Sequence, residues 1–309
     1  MNRASFRPDF EKWWLICILG IYLPAVAAYG WRIVLMGAMA ALAGWLTSMA
    51  GCCLRGAPLE LRGCPVWVLL PLALPPAVPW WVPAAGAVFG EAVVRQLFGG
   101  YGRNLVNPVA VAVVFLGISY PAIVTQADLM PGLNPAAGFT SWVHSGPACP
   151  AVPENGSASN LLLARLPVLP GDCSAALVAI CLVLLWKRRA LHASFPLGAL
   201  LGLALAGALR LAVNPAAAPA VVELIVGGGF MTALAAAGLD VFSLSRTPAM
   251  RLPAGIILGV LSVVLWSSGA AVPPAFAALL LVNVLTPLGD ALIVSWRARQ
   301  WIVTGGRPA

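Results

Sequence analysis

Read in order, the chain passes through one long apolar stretch after another with hardly a charge inside any of them. That pattern restricts the fold more than any single motif. The hydrocarbon core of a bilayer takes a helix of about 20 apolar residues, and inside it every backbone N–H and C=O must find a partner within the protein. Stretches of this length therefore predict membrane-spanning helices. Composition removes the alternative. Only 9% of the 309 residues are charged and 61% are hydrophobic, with a mean hydropathy of +0.93, whereas a soluble domain is roughly one quarter charged.

The stretches read as spans near 13–29, 31–53, 64–78, 80–97, 106–124, 173–186, 194–213, 219–237, 252–268 and 272–295. The expectation is an all-α membrane protein with about ten transmembrane helices. It divides into a cytoplasmic N-terminus (1–12), a first group of five helices (13–124), an outer polar loop (125–172), a second five (173–295) and a cytoplasmic C-terminus (296–309). The third stretch is interrupted at Leu74-Pro75-Pro76. Proline withdraws backbone donors, so the carbonyls left over need other partners. A half-helix lining a cavity and a tight hairpin between two spans both fit. The polar first dozen residues lead into an apolar run without a small-residue cleavage site, which predicts no removable signal peptide.

The net charge of +8 sits singly or in short clusters between the apolar runs. Loop anchors are placed that way, and a nucleic-acid-binding patch is not. With both termini cytoplasmic, fifteen of the eighteen Lys and Arg residues fall on the inner face, and only Arg32, Arg165 and Arg210 fall outside. Seven cysteines include no CxxC pair, and most lie in apolar runs as small hydrophobes. Cys149 and Cys173 share one polar stretch, but spacing alone does not establish a disulfide. His144 and His192 fall on opposite faces of this topology, so no metal site is expected. Most of the twelve tryptophans flank spans, as an interfacial belt does.

Each half contains glycines and then an Arg-containing polar turn that ends in proline. In the first it is GGYGRNLVNP (99–108); in the second, GGGF (227–230) leads to LDVFSLSRTP (239–248). The parallel predicts two related halves around a central site. Gly99 and Gly100 permit close backbone approach, and Arg103, Asn104 and Asn107 add donors. One reading is a cradle for a polar ligand such as a flavin or its phosphate. The other is a tight cytoplasmic turn, since no complete phosphate-loop pattern is present. Acidic residues at membrane depth are functional candidates. Glu91, Glu223 and Asp290 lie within apolar runs, and Asp172 and Asp240 lie at span ends. Glu91 stands four residues before Arg95, so an ion pair and an ion relay compete there. Glu223 has no basic neighbour and is the better candidate for a proton or cation path.

The segment ALPPAVPWWVPAAGAVFGEAVVRQLFGGYGRNLVNPVAVAVVFLGISYP (73–121) resembles the matching part of the RnfD membrane subunits of Rnf complexes and of their NqrB homologues. GDCSAAL (171–177), GGGFMTALAAAGLD (227–240), PAMRLPAGIILG (248–259) and LLLVNVLTPLGD (279–290) follow the same family in the same order. The resemblance implies a membrane component of an electron-transport complex in a bacterial inner membrane, coupling flavin-to-flavin electron transfer to Na⁺ or H⁺ movement. It implies two inverted five-helix halves with broken helices, and partners among other membrane, flavin and iron–sulfur subunits. It also implies an FMN esterified to a threonine in the loop after the fifth span, with riboflavin as a further flavin. Here the nearest counterpart of that threonine motif is Glu154-Asn155-Gly156-Ser157-Ala158-Ser159, which matches after a one-residue deletion and puts Ser159 in the threonine's place.

Gly99, Gly100, Arg103, Asn104, Asn107 and Asp240 thus stand beside Ser159 as cofactor-binding candidates, and Glu223, Asp172 and Glu91 as candidates for an ion path. Asp172 stands where the family has glutamate, and Glu223 about where members often have histidine. The sequence departs from the family near Val66-Trp67, where a small Thr-Gly pair is expected, and at Leu239-Asp240-Val241, where the family has Thr-Asp-Pro. A tryptophan at the former place can fill space that a flavin ring occupies. A cofactor-free solute or ion channel of the same fold, or a structural subunit with a degenerate flavin site, are the competing expectations.

Overall fold

A computed structural model describes residues 9–58, 64–125, 169–172, 175–187, 192–214, 224, 228–266 and 272–303, and all regular structure among them is helical. In the first half, α1 (Asp9–Tyr29) and α2 (Arg32–Arg55) precede a 3₁₀ segment, Cys64–Ala73. After a break come α3 (Trp81–Gly90), a π-helical turn (Glu91–Gln96), α4 (Pro108–Ser119) and the short α5 (Pro121–Thr125). In the second half, a 3₁₀ turn at Pro170–Asp172 leads to α6 (Ala175–Lys187), α7 (Ser194–Val213) and the short α8 (Phe230–Leu239). A 3₁₀ turn (Val241–Ser243) then leads to α9 (Pro248–Trp266) and α10 (Pro274–Val303). Among the described residues, α2, α7, α9 and α10 are long and apolar enough to cross a membrane, while α4 and α8 are shorter apolar helices. Leu19, Leu23, Leu205, Leu209 and Val284 remain exposed on the outside of the bundle, as side chains in contact with lipid tails do. The chain is an all-α membrane protein.

Two short segments form the centre. Trp67, Leu69, Leu70, Leu72 and Leu74 of the 3₁₀ segment and its end are at most 1% exposed. Of the two readings left open for the break, the structure forms the hairpin. Helix α3 runs back beside the short 3₁₀ segment, with Gly86 against Leu70 and Gly90 against Trp67. The segment is packed on its sides rather than lining a cavity. The physical reason is Trp67, whose indole lies where a Cβ on Gly44 of α2 or Gly90 of α3 would have to be. A Cβ on Gly171 would meet both Leu72 O and the Thr232 side chain, so the end of the 3₁₀ segment lies beside the start of α8. At the opposite end, Asn107, next to the Pro108 carbonyl that faces Gly90 near Trp67, reaches Ala236 of α8. The two short helices thus run antiparallel.

The Pro-broken stretch after the 3₁₀ segment leaves the carbonyls of Ala77 and Val78 unpaired by helix, and Arg32 Nη2 donates to both, at 2.8 and 2.9 Å. Arg32, one of the three cations that the charge count places on the outer face, is a buried first residue of α2 rather than an exposed loop anchor. In the second half, α7 and α9 meet along small residues. A Cβ on Gly198, Gly202, Gly255 or Gly259 would strike backbone atoms of the facing helix. The last helix continues through the boundary expected at 295–296 to Val303, because no glycine or proline interrupts Trp296–Thr304.

Candidate functional site

The two polar turns singled out in the sequence meet at one end of the central helix pair. Asn107 is the N-cap of α4: its Oδ1 accepts from the N–H groups of Val109 (3.0 Å) and Ala110 (3.2 Å), with Pro108 at the first helical position. Its Nδ2 donates to Ala236 O of α8 at 2.9 Å. Asn104 Nδ2 donates to Asp240 Oδ2 at 2.7 Å and to Val106 O at 3.1 Å. Asn283 of α10, in the amide orientation that satisfies both neighbours, donates to Ser243 O (3.2 Å) and accepts from Asn107 N–H (2.9 Å). The Tyr101 ring meets Phe242 edge-on at 5.3 Å. The first and second halves are joined here by amides.

Behind this junction the π-helical turn gathers a charged cluster. A π turn closes i→i+5 hydrogen bonds, as Leu97 N–H to Ala92 O does here at 3.0 Å. It brings residues five apart onto one side, so Gln96 Nε2 donates to Glu91 Oε1 at 2.6 Å. Arg95 Nη1 pairs with Glu91 Oε2 at 3.2 Å, and Trp67 Nε1 donates to the same oxygen at 3.0 Å. The Arg95 guanidinium lies 5.7 Å from the Trp67 ring centroid and 5.4 Å from that of Tyr101. Of the two alternatives for Glu91, the structure forms the ion pair, and three donors hold its carboxylate.

At the other end of α8 stands Asp172, the last residue of the turn that closes the polar loop. It is fully buried and accepts from the N–H of Gly229 (2.7 Å), the N–H of Thr232 (2.9 Å) and the Thr232 hydroxyl. A carboxylate suits the positive end of a helix and satisfies its unpaired amides. The ten residues of α8 rise about 15 Å, which separates Asp172 from Asp240 at its other end. Asp290 plays a similar capping part for α9: it accepts from the Arg246 N–H (2.9 Å), the Thr247 N–H (3.3 Å) and the Ser245 and Thr247 hydroxyls (2.5 Å each).

The expected cofactor residues divide into two kinds. Gly99 and Gly100 have φ of +98° and +106°, a left-handed conformation that favours glycine. Arg103 is exposed, and its side chain covers Gly99. Asn104, Asn107 and Asp240 are buried and bonded to one another's segments. Only Arg103 therefore offers outward donors to a flavin or its phosphate; the others hold the turn. Ser159, Glu223 and the cysteines 149 and 173 lie outside the described residues. Among the described residues no three metal-binding side chains cluster, and His192 is exposed, with desolvation and Arg251 holding its imidazole below the usual range. Sequence reasoning missed Trp67, Gln96 and Thr232 as partners of carboxylates; Thr232, three residues after a glycine run, was the one with a readable helix-start signal.

The sequence profile of the NQR2, RnfD, RnfE family matches residues 9–298. The chain is 27% identical to the D subunit of the ion-translocating oxidoreductase complex of Yersinia pestis, over 94% of this chain and 93% of that protein. It is 31% identical to the corresponding D subunit of Alcanivorax borkumensis, over 72% of this chain and 71% of that protein. With the B subunit of the Na(+)-translocating NADH-quinone reductase of Klebsiella pneumoniae it shares 27% identity over 74% of this chain, spanning 58% of that longer relative. A match across both helical halves and both polar turns is not a local likeness between apolar helices, and the chain belongs to the NQR2, RnfD, RnfE family.

Proposed function

We propose that this chain is the membrane subunit of an ion-translocating oxidoreductase complex, working with membrane, flavin and iron–sulfur partner subunits in a bacterial inner membrane, with both termini cytoplasmic. The observation that carries the reading is the family match over residues 9–298, to relatives named as subunits of such complexes. An FMN esterified to Ser159, with riboflavin as a further flavin, supplies one-electron and two-electron redox chemistry when bound. Arg103 would contact a flavin that reaches the glycine turn, while Asn104, Asn107 and Asp240 keep that turn fixed to the second half. For the Na⁺ or H⁺ path, Asp172 and Glu223 are the carboxylates of choice in the second half. Glu91, held by three donors, serves as the counter-charge of Arg95.

In-gel flavin fluorescence after denaturation tests the attachment: wild type is expected to fluoresce and Ser159→Ala to be dark. Loss of co-purifying subunits would contradict the complex, and a purified chain without any flavin would contradict a redox role. A second reading, a structural subunit with a degenerate flavin site, is favoured by one observation. Trp67 fills the space over Gly44 and Gly90. It predicts at most one flavin per chain, and normal assembly and activity in Ser159→Ala.

A further inference from the structure

The least satisfied charge in the described chain is Arg32. It is 6% exposed. Its Nη2 serves the Ala77 and Val78 carbonyls, but its Nε and Nη1 are buried without any hydrogen-bond partner among the described residues. No carboxylate among those residues pairs with it. It also stands at the first residue of the 24-residue α2, the helix end whose dipole disfavours a cation. Two carbonyl contacts orient the guanidinium and leave its charge and remaining donors unanswered. Buried ionisable groups of this kind mark binding sites in membrane proteins.

The surroundings identify the chemistry. Leu72, five residues before Ala77, lies against Gly171, so Arg32 belongs to the end of the bundle where the polar loop closes. Trp31, Trp80 and Trp81 are exposed beside it, and Trp81 meets Tyr120 edge-on at 5.4 Å. Tryptophans gathered in this way lie at the level of the lipid headgroups, where phosphate oxygens are the abundant anions. Asp172, the buried carboxylate at this end, accepts from Gly229 and Thr232 and forms no ion pair with Arg32. Guanidinium is the side-chain cation best suited to a phosphate, being weakly hydrated and rich in fixed donors.

We propose that Arg32 anchors an anion site that takes a phosphate group at the loop end of the bundle through its Nε–H and Nη1–H groups. The phosphate comes either from a phospholipid headgroup or from a flavin mononucleotide. The site does not depend on the flavin reading, because the lipid source alone satisfies it.

The test uses the full chain, delipidated in maltoside detergent, with saturable binding followed by native mass spectrometry and by melting temperature. The probes are dioctanoyl phosphatidylglycerol, FMN and inorganic phosphate. At least one is expected to bind saturably, with affinity falling about ten-fold in Arg32→Lys and lost in Arg32→Gln. Binding of the lipid alone assigns the lipid source, binding of FMN alone assigns the flavin, and equal binding of all three assigns a site for the phosphate itself. Dioctanoylglycerol, the same tails without phosphate, keeps the test valid should Arg32→Gln fail to fold, and it is expected not to bind. The proposal is overturned if none of the three probes binds, if the Arg32→Gln protein binds like wild type, or if dioctanoylglycerol binds as well as the phospholipid.

Discussion

At the loop end of the central helix pair, Arg32 and Asp172 are met chiefly by backbone groups. The cation takes the carbonyls that follow one short helix and the carboxylate takes the amides that begin the other. At the opposite end side chains predominate: Glu91 is held by tryptophan, glutamine and Arg95, and Asp240 by asparagine. For Asp172 the arrangement follows helix polarity and needs no partner of opposite charge. Arg32, by contrast, stands at the start of α2, against its dipole, and keeps two donors over for something else. The opposite end closes on itself and ties the two halves together. A membrane protein has both options because an isolated charge can be balanced by a helix end as well as by an ion.

Unfolding in detergent micelles, followed by denaturant or heat, separates the two arrangements. The largest effect is expected at the closed end. Arg95→Met strands the Glu91 carboxylate and should cost about 3–5 kcal/mol. Glu91→Gln in the same chain, which removes the charge but keeps an acceptor for Trp67 and Gln96, should restore part of it. A double variant no better than the single one would show that the unpaired Glu91 charge does not set the cost. Asp172→Ala leaves the start of α8 without its acceptor and should cost about 2–3 kcal/mol, and Asp172→Glu should recover little because no space surrounds a fully buried side chain. Next comes Arg32→Gln, at about 1–2 kcal/mol, since two carbonyls lose a charged donor while a desolvated charge disappears. A cost above that of Arg95→Met would reverse the comparison. Asn104→Ala is the mildest, about 1 kcal/mol, and its distinctive readout is easier cross-half separation under limited proteolysis.

The sequence displayed what depends on neighbours along the chain. The apolar runs predicted the membrane class, the proline pair predicted the broken third segment, and the four-residue spacing predicted the Glu91–Arg95 pair. The two glycine-led turns were readable as related, and they meet in space. What stayed hidden depends on distant contacts. Nothing near Arg32 announces that its acceptors lie 45 and 46 residues away. Asp172 read as an ion-path residue, while its three partners sit 57 and 60 residues further on. The wide gap filled by Trp67 is made by glycines on two other helices, so no local pattern could show that the 3₁₀ segment is packed rather than open.

The glycine seam between α7 and α9 has a mechanical consequence. With backbone set against backbone at four positions, a slide by one residue would drive a side chain into a peptide group, and a rotation would do the same. The pair is a strut: it can tilt as a unit but cannot shear. Any displacement within the second half must therefore carry α7 and α9 together.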